Sequence, residues 1–395
     1  MTRTVTALFA IIAVPLLVAG DSREVHAQQQ KPPIVGYLSF TSPDERPTLV
    51  SAFREGLAQA GFTAGQNVMI EYRSAGGKYE QLPALAADLA RIPAAVIAAT
   101  GGEVVARAAK TATSEVPIVF TASSDAVKDG LVASLNRPGG NITGVSLLSY
   151  ELDSKRLQLL RELLPSASTI GLLVNANNPS IMATVPSVQA AAETNGQKLI
   201  VLDARTKADI DATFASLRSK EVDALLVATN PFYEGLRDHI VALAKSYSVP
   251  VLYPWREYSV AGGLISYGTS FTESYRQAGF YVGRILKGEK PADLPVVQPT
   301  KFEMLVNAKA AQLLGLTIPP SILVAADEVI EVTATAGLGT SASGTKRGLE
   351  DGQSMSALPR LFRHQLVPLS LGRHLPLCLD TGPCSQSWCA RAGAG

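Results

Sequence analysis

The chain has 395 residues with 35 basic and 34 acidic side chains. That near-neutral balance gives neither the basic footprint of a nucleic-acid binder nor a cationic face for a membrane. All three cysteines, Cys378, Cys384 and Cys389, lie at the far end, so no disulfide framework or thiolate metal site is expected before them, and a chain this long must be stabilised by one or two buried cores.

Residues 1–27 read as a secretory signal peptide. Arg3 supplies the charge, Ala7–Gly20 is the apolar stretch, and Val25-His26-Ala27 is a small-x-small cleavage site that would leave Gln28 as the new N-terminus. A membrane anchor is the rival reading, but the apolar run falls short of the roughly 20 residues needed to span. No cysteine follows it to carry a lipid. No later stretch is long and apolar enough to cross a bilayer, so the mature chain is expected to be exported and soluble.

From Ile34 onward strands and helices alternate, which predicts an α/β protein with parallel sheets covered by helices. Strand 34–39 leads into a helix over 47–60, with Leu49, Phe53, Leu57 and Ala60 on one face and Gly61 closing it. Strand 68–72, helix 79–91, strand 95–99, helix 103–113 and strand 118–121 follow. A short helix is expected over 129–135, a turn at Arg137–Asn141, and a crossing to the second half at 145–148. That half has helices at 155–164, 185–195, 210–219 and 235–247, and strands at 170–174, 199–202, 225–228 and 250–253. A strand at 262–267 is expected to return toward the first half, ahead of a helix at 275–287. Strand 302–306 and helix 308–314 come next, and Pro319-Pro320 is expected to end the organised part soon after. Gly337–Thr345 has a linker composition, and the tail 337–395 lacks periodicity and is expected to be disordered. Its odd cysteine count leaves at least one thiol unpaired.

The two halves carry one pattern. Ile34-Val35-Gly36-Tyr37-Leu38 runs into Ser39-Phe40-Thr41-Ser42-Pro43, and about 136 residues later Ile170-Gly171-Leu172-Leu173-Val174 runs into Asn175-Ala176-Asn177-Asn178-Pro179. Residues 94–99 answer 223–228, and Val116–Phe120 answers Val249–Tyr253. A repeat this long means two similar lobes, and two facing lobes make a cleft.

Ligands of open α/β sheets bind outside the carboxyl ends of the strands. The first half places Ser39, Phe40 and Thr41 there, then Thr100, Gly101 and Gly102, then Thr121, Ser123 and Asp125. The second places Asn175 and Asn177, then Thr229, Asn230 and Phe232, then Trp255 and Glu257. Thr100-Gly101-Gly102 opens a helix, where free backbone N–H groups suit a carboxylate; the alternative is a tight turn that needs glycine. Asp125 is either the partner of a ligand ammonium or a cap. Asn178 before Pro179 is either a ligand donor or a helix cap. Phe40, Phe232 and Trp255 offer rings to an apolar or aromatic ligand, whereas Tyr253 ends a strand and reads as core. Arg256 and Glu257 are expected to pair with each other at the rim. Together the charged and aromatic groups favour an amino acid or a similar small carboxylate.

Catalytic readings find no support. The region before the tail has a single histidine past the signal, His239, in mid-helix, and no Gly-x-Ser-x-Gly elbow or phosphate-binding loop is present. No catalytic residue, metal ligand or cofactor is expected.

One family is resembled. The residues that carry the likeness are Gly65-Gln66-Asn67-Val68, Leu82-Pro83-Ala84-Leu85-Ala86, Ala99-Thr100-Gly101-Gly102, Leu135-Asn136-Arg137-Pro138-Gly139-Gly140-Asn141-Ile142-Thr143-Gly144 and Ala261-Gly262-Gly263-Leu264. A late segment runs from Pro299-Thr300-Lys301-Phe302-Glu303 through Gly315-Leu316-Thr317-Ile318-Pro319-Pro320. These resemble the periplasmic substrate-binding components of ABC transporters, the group that includes tryptophan- and tyrosine-binding members, over residues 33–331. The resemblance implies a type I periplasmic-binding fold with a hinge. Its lobes are expected at 33–145 plus 264–290 and at 146–263 plus 291–333. It further implies a small-molecule ligand, closure of the lobes around it, and as partners a membrane permease with its cytoplasmic ATPase. A monomer without nucleic-acid contacts is expected. The alternative is a periplasmic sensor that presents its bound state to a membrane receptor.

Overall fold

Two sheets with the same strand permutation organise the chain. The computed structural model describes residues 31–331. The signal reading at 1–27 and the tail reading at 337–395, with its cysteines, lie outside the described residues.

The first sheet is built from β1 (Ile34–Ser39), β2 (Met69–Ser74), β3 (Ala94–Thr100), β4 (Ile118–Ala122) and β5 (Ile142–Ser146), in the order β2-β1-β3-β4-β5 with every pairing parallel. Helices α1 (Pro47–Gln59), α2 (Leu82–Arg91) and α3 (Glu103–Ala112) join the early strands. The chain then enters the second lobe through α4 (Asp153–Leu163). There β6 (Thr169–Val174), β7 (Lys198–Asp203), β8 (Ala224–Val227), β9 (Val251–Tyr253) and β10 (Ile265–Thr269) stand in the order β7-β6-β8-β9-β10. This repeats the first permutation strand for strand, as the sequence repeat requires. Between them lie α5 (Pro179–Met182), α6 (Val185–Thr194), α7 (Lys207–Ser216), α8 (Pro231–Gly235), α9 (Arg237–Ser246) and α10 (Arg256–Val260). The strands read as continuous apolar runs because helices cover both faces. Helix α7 starts at a capping box in which Thr206 and Asp209 satisfy each other's backbone N–H.

After β10 the chain crosses back, and α11 (Phe271–Leu286) packs on the first lobe against α1. It returns once more to add β11 (Phe302–Asn307), α12 (Ala308–Leu313), α13 (Pro320–Ala325) and β12 (Glu328–Ile330) to the second. Three segments therefore connect the lobes, near 147–152, 270 and 298–301.

The lobe boundaries differ from the expectation. Strand β10 does not return to the first lobe; it pairs with β9 and β11 in the second sheet, because Leu264 and Ile265 belong to that lobe's buried core. The crossing therefore falls at 270, not 264. Residues 291–297 stay with the first lobe, where Thr143 Oγ1 donates to the Leu294 carbonyl at 2.7 Å and Val297 bridges to Val145. The sheets are not wholly parallel either, since β11 runs antiparallel to β10. No helix forms over 129–135: Gly130 takes a positive φ of 68° and the chain turns instead. Pro320 opens α13 at its first turn, where its missing N–H costs nothing, so the fold continues past the proline pair.

Helices α1 and α11 cross with their backbones in contact. A Cβ added at Gly56 would strike the Arg276 carbonyl, and one added at Gly279 would strike the Phe53 carbonyl. Glycine is required there by space rather than by φ. Gly279→Ala is expected to destabilise the protein by about 1–3 kcal/mol, the usual cost of overpacking. A lowered midpoint in urea unfolding is the result sought; an unchanged one would mean that the helices are not in backbone contact.

Candidate functional site

The carboxyl ends of both sheets' central strands meet where the lobes touch, and most loops singled out from the sequence are buried there. Several of them are occupied by local bonds. The Gly101 N–H donates to Thr121 Oγ1 at 3.2 Å and the Gly102 N–H to the Thr121 carbonyl at 3.2 Å. The expectation of free N–H groups for a carboxylate is thereby overturned: the loop folds back on β4. Glycine serves the turn, with φ of 101° and 110°, and a Cβ at Gly102 would press on Pro231 of the other lobe at 3.3 Å.

Asp125 is likewise spent locally. Its Oδ1 accepts from the N–H groups of Val127 and Lys128, and its Oδ2 lies 3.6 Å from Lys128 Nζ. Ser39 Oγ donates to the Thr41 carbonyl at 2.7 Å, and Phe40 is buried in the first-lobe core against Tyr79, with ring centroids 4.3 Å apart. Buried Thr100 donates through Oγ1 to the Leu38 carbonyl at 3.5 Å, and buried Ser123 accepts at its carbonyl from Ser149 N–H. Asn175 Oδ1 accepts from the N–H of Asn177, which is exposed. Thr229 Oγ1 accepts from Arg156, and Tyr253 stacks on Tyr258 in the core. Arg256 does not pair with Glu257; it reaches Glu303 and Glu328 on the strands added last.

The remaining groups converge between the lobes. Asn230 caps α8 through Oδ1, while its Nδ2 has no hydrogen-bond partner among the described residues. Trp255 is buried and stacks on Phe271 at 4.3 Å and 11°, with its indole N–H likewise unpartnered. Glu257 Oε2 is in the same position. Phe232 is half-buried and packs against core clusters of both lobes. Thr41 approaches Gly235 from across the interface.

Four residues that the sequence did not single out complete this region. Arg46 is buried, and its Nη2 donates across the interface to the Pro231 carbonyl; Nε and Nη1 have no partner among the described residues. Glu234, buried on α8, takes Arg237 on Oε1 at 2.9 Å and leaves Oε2 unpartnered. Glu103, the first residue of α3, is buried; its Oε1 accepts from Tyr150 OH at 2.8 Å. Tyr150 OH in turn accepts from Asn178 Nδ2 at 2.9 Å, which makes a chain from the first lobe through a crossing segment to the second. Asn178 also caps α5, as one of its two readings expected, while its Nδ2 goes to Tyr150. Arg46 had one sequence signal: it occupies an N-cap position, which favours Ser, Thr, Asp or Asn, and it makes no cap bond.

Burial sets the electrostatics. Removal from water pushes the Glu234 carboxyl up to about 7, against the opposing pull of Arg46. Burial also raises Glu103, Glu257 and the Tyr79 and Tyr150 phenols. Arg156 is different: fully buried, it is bonded to Asp153, Ser149, Thr229, Tyr267 and Pro254, and so fastens the first crossing segment to the second lobe through Ser149. No group of three or more His, Cys, Asp or Glu among the described residues is placed to hold a metal ion.

Residues 35–330 match the family model described as ABC transporter substrate binding protein. This chain belongs to that family. A tyrosine-binding protein from Clostridioides difficile (strain R20291) is 26% identical over 301 residues, covering 75% of this chain and 85% of the relative. Among solved structures, an ABC domain from Streptococcus pneumonia in complex with L-Trp is 26% identical, with 76% of this chain and all of that chain covered and a TM-score of 0.68. The ligand-free, open structure of a substrate binding protein with adhesive properties from Clostridium difficile is 27% identical, over 73% of this chain and 96% of that one, with a TM-score of 0.53. At nearly equal identity this substrate-binding protein is more like the complex than the open form, in keeping with its touching lobes. ABC substrate-binding proteins are extracytoplasmic and non-catalytic, and the family match favours transport over the sensor alternative. Among the described residues no helix is long and apolar enough to cross a membrane.

Two outcomes follow for this substrate-binding protein. Glu234, raised in the folded state, holds its proton longer there than in the unfolded chain. Its contribution to stability is therefore full below about 4.5 and is lost as pH rises through about 7. Glu234→Gln should flatten the pH dependence of the unfolding midpoint in that window; an unaltered slope would assign the titration elsewhere. Tyr150→Phe removes the hydroxyl that links Glu103 to Asn178, leaves a buried carboxyl oxygen without its donor, and should cost about 1–3 kcal/mol of the closed form. Small-angle scattering should then show a larger radius of gyration, and an identical profile would speak against the link.

Proposed function

We propose that this protein captures an amino acid, or a similar small carboxylate, between its two lobes. It then presents the ligand, as a monomer, to a membrane permease driven by a cytoplasmic ATPase. Export through a signal peptide at residues 1–27 belongs to the same reading.

The observation that carries it is the set of buried polar atoms contributed by both lobes at their contact. Arg46 and Glu103 come from one side, and Asn230, Glu234 and Trp255 from the other, each with an atom that lacks a partner among the described residues. Such groups are costly unless a bonding partner fills them. A ligand carrying both charge and hydrogen-bonding groups does so only when the lobes are closed, so it favours closure by its differential affinity. The aromatic groups at the interface, Trp255 stacked on Phe271 and half-buried Phe232 packed on Tyr233, suit a ring-bearing side chain. Relatives that bind tyrosine and L-Trp agree with this choice.

Thermal-shift measurements across the proteinogenic amino acids test it. Micromolar affinity corresponds to about 8 kcal/mol, and a ligand at a hundred times its dissociation constant adds about 2.7 kcal/mol to stability. A clear rise in melting temperature with an aromatic amino acid is expected. A flat response across the whole panel, alongside a rise with sugars or ligands lacking a carboxylate, would overturn the proposal.

A further inference from the structure

We propose that Arg46 and Glu234 are the two poles of a clamp for a zwitterion, Arg46 receiving the ligand's carboxylate and Glu234 its ammonium group, so that the ligand class is the free α-amino acid. This rests on the amino-acid reading above and deepens it.

The two residues come from different lobes and meet at one short helix. Arg46 reaches across to the carbonyl of Pro231, and Glu234 stands three residues further along α8, on the same face. Each is buried, and each is bonded on one side only. The guanidinium keeps the hydrogens of Nε and Nη1 to donate, and the carboxylate keeps Oε2 to accept. They are oppositely charged neighbours with no hydrogen bond to each other. Arg46 is also the foremost opposite charge acting on Glu234, ahead of Arg237. A free amino acid supplies a complementary charge for each pole. Closure is built into the arrangement, since neither lobe alone presents both poles.

Other acids near the interface are less suited. Asp125 is committed to the N–H groups of its own turn and to Lys128. Glu103 is held by Tyr150. Glu257 accepts from Thr272 and is less deeply placed. Glu234 also has a neighbour in Arg237, which keeps the carboxylate oriented while leaving Oε2 available. Removing one pole should therefore remove discrimination for one end of the ligand and leave the other end's recognition in place.

Isothermal titration of the full chain with three probes reads this directly: L-tryptophan, tryptamine without the carboxylate, and indole-3-propionate without the ammonium. The same series is run with L-tyrosine, tyramine and 3-(4-hydroxyphenyl)propionate. Wild type should bind the amino acid of at least one series about 30-fold or more tightly than either analogue, the scale set by unpairing a buried charge. Glu234→Gln should lower amino-acid affinity to about that of the propionate, whose own affinity should hold or improve. Arg46→Gln should erase the preference for the amino acid over the amine, and Arg46→Lys should restore only part of it, because an ammonium is a point donor. Amino-acid binding with full discrimination kept in both Gln variants overturns the clamp and leaves the amino-acid reading standing. Wild type binding none of the six probes overturns that reading and the clamp with it. Should a variant fail to fold, the wild-type ratios decide: an amine or a propionate bound as tightly as its amino acid also overturns the clamp.

Discussion

A guanidinium sits between two lobes with one nitrogen bonded across the gap and two without a partner among the described residues. A buried charge of this kind is expensive unless opposed and hydrogen-bonded. On the proposed reading that cost makes closure conditional, because a ligand completes the shell of Arg46. Glu234, Asn230 and Trp255 impose the same condition from the second lobe. On the proposed reading, a bound ligand supplies the missing partners from between the lobes.

The rest of the architecture makes that condition felt by the whole molecule. Three crossing segments join the lobes, and Arg156 fastens the first of them to the second lobe through its bond to Ser149, while its bonds to Tyr267 and Pro254 stay within that lobe. Arg156 is fully paired where Arg46 is not. The Glu103–Tyr150–Asn178 chain adds a direct hydrogen-bonded link between the lobes. Helices α1 and α11, locked by Gly56 and Gly279, keep the first lobe rigid behind it. Hinge closure needs lobes that move as units on a few connecting segments.

Much of this was legible in the chain alone. The repeat between Ile34–Leu38 and Ile170–Val174 foretold two sheets of one design, and the rule about strand ends led to the interface where Asn230, Phe232 and Trp255 lie. Strand-end position did not tell which polar groups are free. Thr100–Gly102 and Asp125 looked available, yet their bonds are made within a few residues or to the neighbouring strand. Arg46 and Glu234 lie outside the strand-end loops, on a helix cap and a short helix, so a search of those loops passed them by.

Sequence by itself determined the alternation, the repeat of one pattern in two halves and the polar character of the loops, because periodicity and turn residues act over short distances. Only the tertiary structure decided that β10 belongs to the second lobe, that the chain returns after Val297, and which buried atoms lack partners. Those outcomes depend on which surfaces meet across more than a hundred residues of chain. Hydrogen-bond satisfaction is a property of such meetings, and no local pattern encodes it.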